Sequence, residues 1–134
     1  MKIVIVAEPG FTRTSANVNL RVNGFAITEA EPTCLLDVLV VLREVLPNLA
    51  VIDYEIPLCN CETMVRIVRE DPILCGMPLL LLVERWASEG VERMKRWPQV
   101  FFMEKPLQVE ALVQAVQERL PAFRTLSLDP DSPR

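Results

Sequence analysis

The chain has 134 residues, of which 51% are hydrophobic, and this is enough for one domain built around one core. Its 18 acidic and 14 basic residues give a formal net charge of -4, which argues against direct nucleic-acid binding because such binding needs a basic face. No apolar run reaches the roughly 18 residues of a membrane-spanning helix, and no signal-peptide pattern follows Met1, so we expect a soluble cytoplasmic protein that does not contact membranes.

The residue types that most often carry metal or nucleophilic chemistry are scarce. Histidine is absent, which excludes His-based catalytic triads and imidazole proton shuttles. The cysteines lack the paired spacing of a zinc site, and we expect them to act as small hydrophobic residues. They are Cys34, Cys59, Cys61 and Cys75.

Short apolar runs and segments of helical periodicity alternate along the chain, which predicts five strands and five helices. The predicted strands span residues 2–7, 25–30, 49–53, 78–83 and 100–103. The predicted helices lie at residues 11–22, between Thr33 and Pro47, between Asn60 and Asp71, at residues 88–97, and between Pro106 and Leu120. Residues 122–134 lack periodicity and contain prolines, so we expect one domain over residues 1–121 and then a disordered tail or linker stub.

Individual residues refine these elements. Thr33 and Asn60 are expected to cap the second and third helices. Phe11, Val18 and Val22 fall on one face of the first helix. The fourth strand is the most apolar segment, so we expect it at the centre of the sheet.

Strands that alternate with helices over short connections predict an α/β fold of the (βα)5 type, with a parallel sheet covered on both faces. In such sheets, ligands bind at the carboxyl ends of the strands. The polar residues at these ends are therefore the candidate functional site. They are Glu8 after the first strand, Asp53 ending the third, Glu84 after the fourth, and Glu104 with Lys105 after the fifth.

Carboxylates grouped around one lysine have two interpretations on spacing alone. Carboxylate oxygens are hard ligands that suit Mg²⁺, and a carboxylate can attack phosphorus when a cation neutralises the incoming oxygens. Asp53 would then be the nucleophile, Glu8 a metal ligand and Lys105 the counter-charge. Alternatively, Asp53 and Lys105 form a structural ion pair at the strand ends.

These residues and the order of the elements resemble the receiver domain of bacterial response regulators over residues 2–120. The resemblance rests on Glu8, on the segment Val-Ile-Asp53-Tyr-Glu-Ile-Pro57, and on the segment Met-Glu-Lys105-Pro106. It implies a CheY-like, flavodoxin-like doubly wound sheet with the strand order 2-1-3-4-5.

The resemblance also implies a role for each matching residue. Asp53 is similar to the phospho-accepting aspartate, and Lys105 is similar to the lysine that contacts the phosphoryl group. Mg²⁺ is the implied cofactor, held by Glu8, by Asp53 and at Glu55, where a backbone carbonyl completes the metal shell in the family. The Lys105-Pro106 bond resembles one that is cis in the family.

Three positions depart from the family pattern. Ala7 replaces the first of two metal-organising acids, so Mg²⁺ binding is expected to be weak or lost unless Glu55 or Glu84 replaces that acid. Val83 replaces the threonine or serine whose hydroxyl bonds the phosphoryl group and draws in the switch aromatic, here Phe102. Glu84 replaces a small residue and adds negative charge that faces an anionic donor. We therefore expect impaired or altered phosphorylation.

The expected function is an atypical receiver domain in two-component signal transduction, which acts by protein–protein interaction and is not an enzyme. Its partners would be a sensor kinase or a downstream target, and a homodimer would fit the same family. The expected interface is the face made by the fourth helix, the fifth strand and the fifth helix. Candidate contacts on that face are Met94, Trp97, Phe102 and Glu104.

Two alternatives remain open. The first is a pseudo-receiver, which keeps the fold as an interaction module that is independent of phosphorylation. The second, less favoured, is a Mg²⁺-dependent phosphohydrolase with an aspartate nucleophile, for which Asp53-Tyr-Glu55 would supply the acidic pattern.

Overall fold

The computed structural model describes residues 1–55, 60–84 and 88–120. Within them the strands are β1 Lys2–Val6, β2 Ala26–Ala30, β3 Leu49–Asp53, β4 Leu79–Val83 and β5 Val100–Glu104. The helices are α1 Phe11–Val22, α2 Leu35–Val45, α3 Cys61–Glu70, α4 Ser88–Met94 and α5 Val109–Glu118. The predicted alternation of strands and helices is confirmed, whereas Pro57, Cys59 and the predicted tail lie outside the described residues.

The strands form one parallel sheet in the order β2-β1-β3-β4-β5, which confirms the predicted order. The central strand is β3, so the prediction that placed β4 at the centre is wrong. β4 is buried along its whole length because β5 covers its outer edge and apolar side chains pack on both of its faces. Continuous burial therefore does not distinguish the central strand from its neighbour.

Alternate residues of the strands enter two apolar cores on opposite faces of the sheet. On β3, Ala50 and Ile52 enter one core, whereas Leu49 and Val51 enter the other. Helices α2, α3 and α4 contribute to the first core, and α1 and α5 contribute to the second. None of the helices in the described residues is long and apolar enough to cross a membrane.

Helix α1 meets the sheet through a different face from the one that carries its large apolar residues. Phe11, Val18 and Val22 share a face, but all three are exposed, and Phe11 is 81% exposed. The buried residues are Ala16 and Leu20. Periodicity indicates which residues share a face, but it does not indicate which face meets the sheet.

Polar contacts with the end of β2 accompany this rotation of α1. The Arg13 guanidinium donates to Glu31 at 2.9 Å, and the Asn17 amide donates to Glu29 at 2.7 Å. Such exposed contacts contribute little net stability. The face that meets the sheet is the one that buries Ala16 and Leu20 in the core, and the stripe of larger apolar residues is left in solvent.

The two predicted helix caps have different outcomes. Asn60 caps α3 as predicted, since its Oδ1 accepts the N–H of Thr63 at 3.0 Å. The predicted cap of α2 is wrong, because the N-cap residue is Cys34. The Thr33 hydroxyl instead donates to the carboxylate of Asp37 at 2.8 Å, a side-chain bond that competes with backbone capping.

Candidate functional site

Backbone hydrogen bonds continue beyond the sheet and align the carboxyl ends of β3, β4 and β5. The N–H of Tyr54, after β3, and the N–H of Lys105, after β5, each donate to a carbonyl oxygen of β4 at 2.9 Å. Asp53, Glu84 and Lys105 therefore meet at one edge of the sheet, as the strand-end argument predicts.

Lys105 lies among three carboxylates. Its Nζ is 2.7 Å from Asp53 Oδ1, 3.3 Å from Glu55 Oε2 and 3.9 Å from Glu84 Oε1. The side chains of Lys105 and Asp53 are only 14% and 15% exposed. One ammonium group faces three carboxylate side chains, so the formal charge of the cluster is negative.

Within the described residues, one carboxylate oxygen of Asp53 accepts hydrogen bonds and the other has no donor. Its Oδ1 accepts hydrogen bonds from Lys105 Nζ and, at 3.0 Å, from the N–H of Glu55. No donor among the described residues contacts Oδ2, so its lone pairs are available for attack on an electrophile. The geometry brings Asp53 and Lys105 together and is compatible with both the nucleophile and the ion-pair interpretations.

The carboxylates of Asp53 and Glu55 favour the charged form of Lys105. Burial acts to lower the pKa of this lysine, but the hydrogen bond and charge of Asp53 and the charge of Glu55 outweigh it. The pKa of Lys105 is therefore raised above its ordinary value. Lys105 remains a cation throughout the physiological pH range.

The side chain of Glu55 has a role that sequence reasoning missed. One carboxylate oxygen accepts the backbone N–H of Glu84 at 3.1 Å, and the other lies 3.3 Å from Lys105 Nζ. The resemblance implies a role for this position only through its backbone carbonyl and, as a replacement for the missing acid, through metal binding. The available signal was an acidic side chain two residues after Asp53, on the same strand end.

The predicted Mg²⁺ ligands do not form a metal cluster in the described residues. Glu8 is exposed, and no group of three or more acidic, cysteine or histidine side chains there is arranged to hold one ion. The donor chemistry nevertheless fits Mg²⁺, because carboxylates such as those of Glu8 and Asp53 and a backbone carbonyl such as that of Glu55 are the oxygen ligands that Mg²⁺ prefers. Ala7, in the place of the missing acid, is buried. The assignment of Glu8, Asp53 and Glu55 as ligands remains a prediction.

The predicted switch residues lie in the same apolar core. Val83 is 5% exposed and belongs to the core that α2, α3 and α4 cover, and half-buried Phe102 packs against that core. Valine has no hydroxyl, so this side chain supplies no hydrogen bond to the carboxyl edge. The Lys105-Pro106 peptide bond is cis, as the resemblance implies.

The expected interaction face needs one correction. Met94 is 1% exposed and lies in the core, so it is not available as a partner contact. It is the last residue of α4, which ends three residues earlier than predicted because the Trp97 N–H bonds back to the Met94 carbonyl in a tight turn. Trp97 is half-buried, Phe102 is half-buried and Glu104 is exposed.

Tyr54, directly after Asp53, makes a contact that the sequence did not indicate. A Cβ atom at Gly90 of α4 would overlap the Tyr54 hydroxyl group, so the Tyr54 ring packs against this glycine and would have to shift if a larger residue replaced it. Burial, followed by the charge of Glu62, raises the pKa of Tyr54. This contact joins the residue next to Asp53 to helix α4.

Comparison with known proteins identifies the fold. No protein-family model and no curated protein matches the chain. The signal receiver domain of a histidine kinase from Syntrophus aciditrophicus is similar with a TM-score of 0.79 and 20% identity, over 92% of each chain. The chemotaxis response regulator CheY4 of Vibrio cholerae is similar with a TM-score of 0.76 and 19% identity, over 89% of this chain and 98% of CheY4. A response regulator receiver protein from Sinorhizobium medicae has a TM-score of 0.75 and 20% identity, over 92% of this chain and 96% of its own. The fold is therefore the CheY-like, flavodoxin-type fold of receiver domains.

Proposed function

We propose that the chain is an atypical receiver domain of two-component signal transduction, with Asp53 as the phospho-acceptor and Lys105 as the phosphoryl contact. The observation that carries this proposal is the 2.7 Å bond between Lys105 Nζ and Asp53 Oδ1 at the carboxyl edge of the central strand. Phosphoryl transfer to a carboxylate requires a nucleophilic oxygen and a cation that stabilises the phosphoryl oxygens. Asp53, at the end of β3, supplies the oxygen, and Lys105, directly after β5, supplies the cation.

The proposed chemistry is a single phosphoryl transfer. Asp53 Oδ2 forms a bond to phosphorus, and the bond between phosphorus and the donor's leaving group breaks. The leaving group departs with the electron pair, and the product is an acyl phosphate on Asp53. Lys105 stabilises the negative charge on the phosphoryl oxygens during the transfer. The domain is the phosphoryl acceptor and is not proposed as an enzyme.

Mg²⁺ would be held by Glu8, by Asp53 and by the backbone carbonyl of Glu55, and when bound it would supply positive charge next to the anionic donor. Hydrogen-bond donors of the protein itself orient the Asp53 carboxylate. The N–H of Glu55 and the ammonium of Lys105 both hold Oδ1, which leaves Oδ2 for the donor.

The site departs from an efficient phospho-acceptor in two respects. Glu55 and Glu84 add negative charge within 4 Å of Lys105, which opposes an anionic donor. The Val83 side chain has no hydroxyl and cannot donate a hydrogen bond to a phosphoryl group. The movement that would couple such a bond to Phe102, and so to the protein surface, is therefore missing. We infer slow phosphorylation and an altered switch.

The output is proposed to be protein binding through the face formed by α4, β5 and α5. The accessible candidates are Trp97, Phe102 and Glu104, which lie at or near the outer edge strand β5. A sensor kinase or a downstream protein would be the partner, and a second copy of the chain is a candidate for the same face. We propose a cytoplasmic location on the basis of this function.

The proposal is tested by phosphorylation with acetyl phosphate and Mg²⁺. We expect intact-protein mass spectrometry to detect the addition of one phosphoryl group, and we expect Asp53→Asn to abolish it. Asp37→Asn, which removes an exposed aspartate on α2, is the matched control and should be labelled like the wild type. Labelling of Asp53→Asn to the same extent would contradict the proposal.

A second candidate is an interaction module that is independent of phosphorylation. It is favoured by the buried Val83 and by the carboxylate of Glu55 beside Lys105. It predicts no phosphoryl label on folded protein. A Mg²⁺-dependent phosphohydrolase would instead release many phosphate ions per protein molecule in the same experiment.

A further inference from the structure

Two hydrogen-bond donors next to Asp53 are both engaged by a side chain of the protein itself. They are the ammonium of Lys105, after β5, and the backbone N–H of Glu84, after β4. The Glu55 carboxylate accepts the Glu84 N–H through Oε1 at 3.1 Å and lies 3.3 Å from Lys105 through Oε2. One carboxylate therefore bridges donors from two different strands.

These two donors form an oxyanion-binding site. The N–H of Lys105 is bonded to β4 at 2.9 Å, so the backbone positions of both donors are fixed relative to each other. The Lys105 ammonium also touches Asp53, so an oxyanion held by this pair lies beside the Asp53 carboxylate. A phosphoryl group on Asp53 has anionic oxygens that need the same kind of donors.

We propose that Glu55 is an internal anion that occupies this oxyanion site, and that a phosphoryl group must displace it. This inference rests on the proposed function of Asp53 as phospho-acceptor. Glu55 lies two residues from Asp53, and its own N–H binds Asp53 Oδ1 at 3.0 Å, so the carboxylate is tethered at the site. A tethered group competes as an intramolecular ligand at high effective concentration. The proposed consequence is a receiver whose acceptor is restrained by its own neighbour.

Glu84 provides a matched comparison for Glu55. Its carboxylate is 3.9 Å from Lys105, and its side chain makes no hydrogen bond with the described residues. Glu84→Gln and Glu55→Gln each remove one negative charge near the same lysine. Only Glu55→Gln weakens the side chain that binds the two donors. Comparing the two variants therefore separates the effect of occupying the oxyanion site from the effect of its net charge.

The test measures the initial rate of Asp53 labelling by acetyl phosphate with Mg²⁺ in the full chain. We expect Glu55→Gln and Glu55→Ala to be labelled about tenfold faster than the wild type, because a charge and a competing ligand are removed together. We expect Glu84→Gln to be labelled less than about threefold faster, since only charge is removed. Where the wild type is labelled, equal acceleration by Glu55→Gln and Glu84→Gln, or no acceleration by either Glu55 variant, would overturn the inference.

A second readout does not depend on phosphorylation. In the ¹H–¹⁵N NMR spectrum, the amide proton of residue 84 should move upfield in Glu55→Ala, where the carboxylate acceptor is lost, and should not move this way in Asp37→Asn. If no protein is labelled but this signal moves, the occupancy of the oxyanion site stands and the phospho-acceptor proposal fails. If the signal does not move, the occupancy inference is wrong.

Discussion

Replacing Arg69 with alanine should lower the free energy of unfolding by about 4 kcal/mol, because several buried carbonyl groups would lose their hydrogen-bond donor together. Arg69 is on α3, and its side chain is buried. Its guanidinium donates to five carbonyl oxygens, which belong to Leu74, Cys75, Met77, Pro98 and Gln99. The guanidinium therefore joins the α3–β4 connection to the turn before β5.

The effect is large because the carbonyl oxygens of Cys75, Met77 and Pro98 have no other donor within the described residues, whereas those of Leu74 and Gln99 also accept backbone N–H groups. Arg69 forms no ion pair within the described residues, and its charge is balanced by carbonyl dipoles alone. Burial lowers the pKa of Arg69 from its ordinary value. Gln99, in the turn before β5, has a left-handed φ of 58°, and its carbonyl oxygen accepts hydrogen bonds from both the Arg69 guanidinium and the Leu79 N–H.

Chemical unfolding followed by circular dichroism measures this effect. Arg66→Ala on the same helix is the control, because Arg66 is exposed, and it should change the free energy of unfolding by less than about 0.5 kcal/mol. Arg69→Lys should recover less than half of the loss, since an ammonium cannot reproduce the planar fork of a guanidinium. A loss of less than about 1 kcal/mol for Arg69→Ala would contradict this account.

Replacing Lys105 with methionine should reduce the rate of Asp53 labelling by about 10²-fold, the usual cost of losing one donor to a developing oxyanion. It should also lower the free energy of unfolding by about 2 kcal/mol, because Asp53 would lose a charged partner in a mostly buried pair. Lys105→Arg keeps the charge and should lose less than half as much stability. Lys95→Met, which breaks only an exposed pair with Glu92, is the control for the loss of a lysine.

The stability difference between the wild type and Lys105→Met should depend on pH in a defined direction. The folded-state pKa of Lys105 is raised, so its contribution to stability is complete below the unfolded pKa of about 10.4. The contribution is lost as the pH rises through the folded-state pKa. The unfolding curves of the two proteins should therefore converge at alkaline pH and differ most near neutrality. A constant difference across this range would contradict the assigned charge pairing.

The topology was predictable because each strand is a short apolar run and each connection is short. The sequence also placed Asp53 and Lys105 at one edge, since both follow buried strands. The face of α1 that packs on the sheet was not predictable. The apolar spacing of Phe11, Val18 and Val22 shows that they share a face, but it does not show whether that face is buried or exposed. In that helix the buried side chains are Ala16 and Leu20, and polar side chains on α1 bond to the end of β2.

The details of the site were less predictable than its location. The bond from the Glu84 N–H to Glu55 depends on the side-chain rotamer of Glu55 and on the alignment of β3 with β4. Neither quantity is encoded in a local pattern. The packing of Tyr54 on Gly90 joins residues from separate elements, and a lone glycine in a helix pattern does not identify its neighbour.

The most direct test of the central claim is a titration with Mg²⁺ and then beryllofluoride, which mimics a phosphoryl group on a carboxylate. The amide signals of residues 53, 84 and 105 are followed by NMR. We predict saturable shifts at these positions in the wild type, stronger binding in Glu55→Gln, and no shifts in Asp53→Asn. Unchanged signals in both the wild type and Glu55→Gln at millimolar Mg²⁺, with the protein folded, would contradict the assignment of Asp53 as a phospho-acceptor.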